Sequence, residues 1–170
     1  MRNAFPNSAA PWFGLSAVLI ALDQLVKWVV LGYFSGRGTL QPVTSFFNLV
    51  LACNKGAAFS FLADAPGWQT PLFAGFAIVA SGVVGVLIVK NPAKRLFCAG
   101  LALVLGGALG NLIDRLRFGC VVDFLDFYVG LPWLERWPAF NVADSAITLG
   151  AVALILESFL NRERGDARHA

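Results

Sequence analysis

The stretch PAFNVADSAITLGAVALILESFL, residues 138–160, joins a polar start to a long apolar run. Its part from 142 to 160 approaches the length of a membrane-spanning helix, which needs about 20 apolar residues. Asp144 nevertheless lies where the apolar run begins. A carboxylate at the centre of a membrane helix costs about 2.5–3.5 kcal/mol on insertion scales. The stretch therefore predicts a membrane helix whose first turn carries an acid that needs a structural or functional reason.

The composition of the whole chain is that of an integral membrane protein. Of its 170 residues, 58% are hydrophobic and 14% are charged, against about 25% charged residues in soluble domains. Three further apolar segments cover residues 12–31, 68–89 and 96–113. Together with 142–160 they predict a mainly α-helical membrane protein with four transmembrane helices, formed as a single domain over 1–170. The first segment exceeds a signal-peptide core and contains charged residues, so we expect a span there rather than a cleavable signal peptide.

Two longer segments, 32–67 and 114–139, join the spans on one side of the membrane. The first is rich in β-branched and aromatic residues and is interrupted by NKGAA, which predicts a small extramembrane β-sheet or hairpin. The second is rich in aromatic residues, as is typical of a membrane interface. We expect it to form a short helix or loop at the outer leaflet and to carry active-site residues.

The basic residues predict the orientation of the chain. Lys90, Lys94 and Arg95 fill the short link between the second and third spans. Arg2 and the arginines of the C-terminal tail would lie on the same side. By the positive-inside rule this side is the cytoplasm, so both termini are expected to be cytoplasmic and the two longer segments to lie outside.

Several classes of function are disfavoured. The basic residues are scattered and the net charge is only +3, so no nucleic-acid partner is expected. The single histidine, His169, lies in the polar tail, which argues against a catalytic histidine or a histidine metal site. The cysteines are not clustered either, so no metal or cofactor is expected. Cys98 lies in an apolar run and reads as a small core residue. Cys53 and Cys120 could approach each other, but their spacing implies no disulfide framework.

Strongly polar residues near the membrane, apart from Glu157, lie toward one boundary. Asp23 and Lys27 are four positions apart, so they share a face of the first helix. The pattern predicts one polar site at the outer surface, built from separate parts of the chain. Its other members are Asn54, Lys55, Asn111, Asp114, Arg115, Asp123, Asp126, Asn141 and Asp144.

The residues of the first and third spans also have structural explanations. Asp23 and Lys27 could form an ion pair between helices without any further role. Asp114 and Arg115 could close a helix end and bind lipid head groups. Neither explanation needs a substrate, so both remain open at the level of the sequence.

The remaining acids have structural explanations as well. Asn141 could cap the fourth helix, with Asp144 three residues later as the acid of a capping box, favoured by the helix dipole. Asp123 and Asp126 are three positions apart and could belong to an ordinary solvated acidic face. The cap explains Asp144 locally but does not explain why another acid should lie nearby.

Two carboxylates at close range offer a chemistry that needs no metal. They share one proton because both cannot ionise easily. The ionised acid can take a proton from water while the protonated one donates a hydrogen bond to a peptide carbonyl, which would hydrolyse an amide. The spacing leaves three pairs open, namely Asp123 with Asp144, Asp123 with Asp126, and Asp114 with Asp144.

The chain resembles the bacterial lipoprotein signal peptidases, also called signal peptidase II. Four stretches carry the resemblance and occur in order along most of the chain. They are DQLVKW at 23–28, NKGAAFS at 54–60, GGALGNLIDRLRFGCVVDF at 106–124 and FNVADS at 140–145.

The resemblance implies an aspartyl endopeptidase of the bacterial inner membrane with its active site on the periplasmic side. Such an enzyme removes the signal peptide of a prolipoprotein just before a diacylglyceryl-modified cysteine. The resemblance selects Asp123 and Asp144 as the catalytic dyad, and implies a small extramembrane sheet with a mobile segment over the site. The expected partners are lipid-modified prolipoproteins and membrane lipids, and the chain is expected to be monomeric. The positions expected to line or support the site are Asp23, Lys27, Asn54, Gly56, Asn111, Arg115 and Asn141.

Two other functions compete with this hypothesis. A small ion or proton transporter could use Asp23, Asp144 and Arg115 as relay groups, and it predicts polar residues through the full membrane depth. A non-catalytic membrane scaffold predicts that the acids can be replaced with little loss.

Overall fold

Four long helices dominate the structure. The computed structural model describes residues 8–56, 67–131 and 134–166. Each helix is long and apolar enough to cross a membrane, which confirms the predicted fold class. The helices extend beyond the predicted spans by five residues at the end of the third and six at the end of the fourth, and the second begins and ends one residue later than predicted. The helices are α1 (Ala10–Phe34), α2 (Gln69–Lys90), α3 (Arg95–Phe118) and α4 (Val142–Asp166).

Helix α3 is the central element of the bundle. It contacts each of the other three helices, and 56% of its most apolar window is buried, against 22% or less in the others. Small residues permit these contacts, because a Cβ at Gly107 would lie 2.3 Å from the carbonyl oxygen of Ala143. Close backbone approach at glycine is a common way to pack membrane helices. The approach of α3 to α4 therefore depends on the absence of a side chain at Gly107.

A four-stranded antiparallel sheet lies at one end of the bundle. Strands β1 (Leu40–Pro42) and β2 (Phe47–Asn54) follow α1, and β3 (Val121–Leu131) and β4 (Leu134–Phe140) connect α3 to α4. The strands are arranged in the order β1-β2-β3-β4. The central pair, β2 with β3, therefore joins the two long segments of the chain into one sheet.

The sheet is larger than the sequence analysis predicted. Strand residues were expected within 32–67, and a short helix or loop within 114–139. The described part of the second segment instead continues α3 to Phe118 and then forms β3 and β4. Gly119, with a φ of 73°, ends the helix. The following sequence VVDFLDFYVGL is rich in β-branched and aromatic residues, which favour a strand.

Some predicted features lie outside the described residues. They include residues 57–60 of the NKGAAFS motif and part of the segment that the resemblance places over the site. Arg2, Arg168 and His169 lie outside as well.

The three cysteines fall into one bonded pair and one thiol. A disulfide joins Cys53 of β2 to Cys120, which immediately precedes β3. The sequence analysis implied no disulfide here. The bond arises because the register of the sheet sets Cys53 opposite Val122, so that Cys120 is the next residue on the same face. Cys98 is free and completely buried, which confirms its assignment as a core residue.

Replacing Gly107 by alanine should loosen the contact between α3 and α4. The added methyl group would meet the Ala143 carbonyl oxygen at 2.3 Å, and overpacking of this kind costs about 1–3 kcal/mol. Thermal unfolding of the purified protein in detergent measures the effect. Gly82→Ala is the matched control, because nothing lies within 4 Å of its added Cβ. Equal unfolding midpoints for the two variants would contradict the packing described.

Candidate active site

A reciprocal cap opens α4. The backbone N–H of Asp144 donates to Oδ1 of Asn141 at 2.9 Å, and the backbone N–H of Asn141 donates to Oδ2 of Asp144 at 3.2 Å. This is the arrangement of a capping box. The predicted structural explanation for these two residues therefore holds. The cap also fixes the direction of the Asp144 carboxylate at a helix end that favours an anion.

Two asparagine side chains connect Asp144 to Asp123. Nδ2 of Asn141 donates to Oδ1 of Asp123 at 2.7 Å and to Oδ1 of Asn111 at 3.1 Å. Nδ2 of Asn111 donates to Oδ1 of Asp144 at 2.7 Å. Residues from α3, β3 and the start of α4 thus meet in one hydrogen-bonded group. The same asparagine that caps α4 also holds the second acid.

Asp123 is buried, with 2% of its surface exposed. Its Oδ2 accepts a hydrogen bond of 3.0 Å from Nδ2 of Asn54 on β2. Burial and the nearby charge of Asp144 raise the pKa of Asp123 from 3.8 to about 7, against opposing contributions from Asn54, Asn141 and Lys27. Near neutral pH this carboxyl group is therefore partly protonated and can donate a hydrogen bond.

Lys27 is the buried cation of the site. Its Nζ lies 2.9 Å from Oδ2 of Asp23 and 2.7 Å from Oδ2 of Asp114, and each of the three side chains is at most 2% exposed. Nζ also donates to Oδ1 of Asn111 at 3.0 Å. Because that oxygen faces Lys27, the amide nitrogen of Asn111 is left to face Asp144. The predicted ion pair of Asp23 and Lys27 exists, and it extends to Asp114 of α3 and to Asn111, which binds Asp144.

The two partners of Lys27 also hold the backbone beside each acid. Oδ1 of Asp23 accepts from the N–H of Ala143 at 2.9 Å, directly before Asp144. Oδ2 of Asp114 accepts from the N–H of Val122 at 3.0 Å, directly before Asp123. One ammonium group therefore links the anchors of both acidic residues.

Gln24 closes this group from α1. Its Nε2 donates to Oδ2 of Asp23 at 3.2 Å, to Oδ1 of Asp114 at 2.9 Å and to the carbonyl oxygen of Gly110 at 3.2 Å. The sequence analysis did not assign Gln24 to the site. It included Asp114 in the predicted polar site, as a possible catalytic or helix-end acid, but not among the positions expected to support the site. The spacing held a signal for Asp114, since it lies three residues after Asn111 on the same face of α3.

Arg115 joins the site from the other side. Its Nη2 donates to the carbonyl oxygen of Gly56 at 3.1 Å, and its Nη1 to that of Asn111 at 3.5 Å. The N–H of Gly56 in turn donates to Oδ1 of Asn54 at 2.9 Å. Nε of Arg115 is buried without a hydrogen-bond partner in the described part of the chain. The sequence analysis suggested that Asp114 and Arg115 together close the end of the helix. Asp114 instead forms an ion pair with Lys27.

Asp126 occupies a separate place on β3. It is 6% exposed, accepts from Nδ2 of Asn48 at 2.8 Å and forms an ion pair with Arg136. The predicted solvated acidic face is therefore wrong for this residue. This hydrogen bond and this ion pair run to the neighbouring strands β2 and β4, away from the asparagines that connect the other two acids.

Comparison with known proteins identifies the family. The family described as "Signal peptidase (SPase) II" matches residues 15–160. The chain belongs to the signal peptidase II family. A protein named lipoprotein signal peptidase in Paraburkholderia phytofirmans is 52% identical over 96% of this chain and 92% of its own. A protein of the same name in Burkholderia thailandensis is 54% identical, with 94% and 93% covered.

Solved structures share the fold of this signal peptidase II chain. One, titled a bacterial membrane enzyme structure at 2.3 Å resolution, has a TM-score of 0.77 and 24% identity, and the match covers 91% of each chain. A second, with the same description at 1.9 Å, has a TM-score of 0.71 and 25% identity over 86% of this chain and 91% of its own. Family membership makes the chain a peptidase, and its four long apolar helices make it a multi-pass membrane protein.

The structure brings the two acids of the expected dyad and the seven positions expected to line or support the site into one connected network in this signal peptidase II. The connections run from Lys27 through Asn111 to both acids, and from Asp123 through Asn54 to Arg115. The members are Asp23, Lys27, Asn54, Gly56, Asn111, Arg115, Asp123, Asn141 and Asp144.

Removing the ammonium group of Lys27 should destabilise the site strongly. Lys27→Met leaves two buried carboxylates uncompensated, and breaking a buried ion pair costs about 3–5 kcal/mol. Adding Asp114→Asn should recover part of the loss, because one of the two charges is then gone. Thermal unfolding in detergent measures both variants. The control is Lys90→Met at an exposed position, and a Lys27→Met variant as stable as this control would contradict the account.

Proposed function

We propose that this protein removes the signal peptide of prolipoproteins by aspartyl chemistry at Asp123 and Asp144, cleaving just before the lipid-modified cysteine. Family membership and the name of the curated relatives support the reaction and the substrate class. The chemistry is carried by one observation. Two acids are held by a shared asparagine where α4 begins, and one of them has a pKa of about 7.

The geometry favours different roles for the two acids. Asp144 lies at the N-terminus of α4 and accepts hydrogen bonds from Asn111 and from the backbone of Asn141, which favour its anionic form. It takes a proton from a water molecule, whose oxygen attacks the scissile carbonyl carbon. Asp123 carries the shared proton and donates a hydrogen bond to the carbonyl oxygen. The carbon–nitrogen bond then breaks as a proton passes to the leaving amine.

The contacts argue against the other two acid pairs. Asp114 is bound by Lys27, Gln24 and the Val122 backbone, so it supports the site without facing the reaction. Asp126 is bound by Asn48 and Arg136. Only the pair of Asp123 and Asp144 shares Asn141 as a common hydrogen-bond partner among the described residues.

Arg115 is suited to hold the peptide. Its Nε is buried and unpartnered among the described residues, while its Nη atoms are occupied by backbone carbonyls. An arginine offers donors in a fixed planar fork. Each Nη atom carries a second N–H group, and these are the donors that would bind a carbonyl oxygen of the substrate next to the dyad, because Nε is buried.

The site is proposed to face the periplasm, with both termini in the cytoplasm. The basic residues Lys90, Lys94 and Arg95 lie at the end of the bundle opposite the sheet, which by the positive-inside rule is cytoplasmic. The disulfide lies at the sheet end, and disulfides persist in oxidising compartments such as the bacterial periplasm. The two arguments are independent and agree. An acyl chain on the substrate cysteine would lie in the outer leaflet, which places its peptide bond at the level of the dyad.

The other two functions receive less support. A transporter requires polar groups through the membrane, whereas the buried ion pairs of Lys27 with Asp23 and Asp114 lie toward the sheet end. A scaffold gives no reason for an acid with a pKa near neutrality beside a second acid. Monomeric action, membrane lipids as partners and independence from metals and cofactors remain part of the proposal.

Cleavage of a purified diacylglyceryl-modified precursor peptide in detergent tests the proposal. Asp123→Asn and Asp144→Asn should each abolish cleavage, since an amide cannot accept the proton of water or share one. The double variant should be scarcely worse than either single variant, because the acids act as a unit. A strong chelator should leave the wild-type rate unchanged.

Asp126→Asn is the matched control on the same strand. It keeps a carbonyl acceptor for Asn48, and its partner Arg136 is 51% exposed, so substantial activity should remain. An inactive Asp126→Asn together with an active Asp123→Asn would show that the wrong acid has been chosen.

The rate should fall as the pH rises above about 7. The pKa of Asp123 is raised to about 7, so the shared proton is present below this pH and is lost above it. The pair titrates as one unit, and the alkaline limb of the kcat profile reports the loss of that proton. Asp126→Asn should show the same limb. A rate that keeps rising well above neutral pH would contradict a protonated Asp123.

A further inference from the structure

The disulfide lies beside the dyad but is not part of its hydrogen-bonded network. Cys53 directly precedes Asn54, whose side chain donates to Asp123. Cys120 lies three residues before Asp123, directly before the neighbouring strand β3. The bond therefore connects the two pieces of chain that bring Asn54 and Asp123 together.

The disulfide and the dyad lie on opposite faces of the sheet. The register sets Ala52 opposite Asp123, Cys53 opposite Val122 and Asn54 opposite Val121. Because side chains alternate between faces along a strand, Asn54 and Asp123 share one face and the two sulfur atoms lie on the other. Any influence of the disulfide on the dyad must therefore pass through the strands.

The end of β2 is held by few backbone pairs. The register of β2 against β3 shifts between Leu49 and Ala52, and only Ala52, Cys53 and Asn54 pair beyond the shift. The strand ends at Asn54. Short strand ends open more readily than the centre of a sheet. The hydrogen bond from Asn54 to Asp123 thus lies at the end of β2, where the backbone hydrogen bonds between β2 and β3 would by themselves hold the strand only weakly.

We infer that the Cys53–Cys120 disulfide is a positioning element of the active site, which keeps Asn54 against Asp123 by closing the end of the β2–β3 ladder. The inference rests on the proposed function of this site. The bond forms when the two thiols give two electrons and two protons to a disulfide oxidant, which is reduced to two thiols. The site is then complete only on the oxidising side of the membrane.

Reduction of the folded wild-type enzyme is the direct test. The purified protein in detergent is treated with a dithiol, and cleavage of the lipidated precursor peptide is followed. We expect kcat to fall at least about fivefold, since small misplacements near a reacting centre reduce rates steeply, with a smaller change in KM. Reoxidation should restore the rate. The thioether of the substrate cysteine is not cleaved by thiols.

The pH profile separates positioning of Asn54 from general loosening. The hydrogen bond from Asn54 lowers the pKa of Asp123, so losing it should move the alkaline limb of the kcat profile to higher pH. The other groups that act on Asp123 are Asp144, Lys27 and Asn141, with Arg115 nearby, and none of them is bonded to the disulfide. Asn54→Ala should move the limb in the same direction. Reducing the disulfide of the Asn54→Ala variant should then lower its kcat little further, because both changes remove the same interaction between Asn54 and Asp123.

Two variants serve as controls. Cys98→Ser removes the remaining thiol, which is buried in α3, and should behave like the wild type, including its loss of activity on reduction. The double variant Cys53→Ser/Cys120→Ser should match the reduced wild type and should not respond to the dithiol. A response of this double variant would assign the effect to another target and overturn the inference.

Amide hydrogen exchange gives a reading that does not depend on cleavage. Reduction should speed exchange of the paired residues 52–54 and 121–123, while α3 stays protected. Unchanged exchange, or an unchanged kcat and alkaline limb after reduction, would overturn the inference. An oxidised wild type that shows the expected exchange response but does not cleave the lipidated peptide would instead contradict the proposed function.

Discussion

The site depends on one buried cation. Lys27 lies between Asp23 and Asp114, and an ammonium group out of water is tolerated only when its charge and its donors are matched. The third donor of Lys27 contacts Asn111. This requirement fixes where α1 and α3 meet. Asp23 and Asp114 also accept hydrogen bonds from the backbone directly before Asp144 and Asp123, so the same requirement positions these two acids. Electrostatic compensation in the bundle and placement of the candidate catalytic groups are thus the same constraint.

Structural and chemical roles overlap in individual residues. Asn141 caps α4 and holds Asp123, and Asp144 completes the cap that fixes its own carboxylate. In the sequence these were competing explanations of the motif NVAD. The helix cap is present, and the same residues also lie in the candidate active site. A residue with two such duties cannot be exchanged for a better helix cap without also changing the site.

The sequence predicts the helices well and the sheet only in part. The spans follow from apolar length, which depends on local composition. The pairing of β2 with β3 is a contact between residues about 70 positions apart along the chain, and no local pattern reports it. The same limit explains the wrong prediction for Asp126. Its partners Asn48 and Arg136 lie on other strands, so the local sequence around Asp126 does not show that it is buried. Gln24 was missed because a neutral amide beside charged neighbours carries no signal of burial by itself.

The length of α3 has a consequence for the lipid environment. The helix has 24 residues from Arg95 to Phe118, which corresponds to about 36 Å at 1.5 Å per residue. Its first residue, Arg95, belongs to the basic link, and its last turn carries Arg115. The helix therefore sets the distance between the basic end of the bundle and the proposed catalytic acids. Under the proposed function, the depth of the substrate is set by its lipid anchor in the outer leaflet, and the depth of the acids is set by the helix. The rate of cleavage should then depend on bilayer thickness.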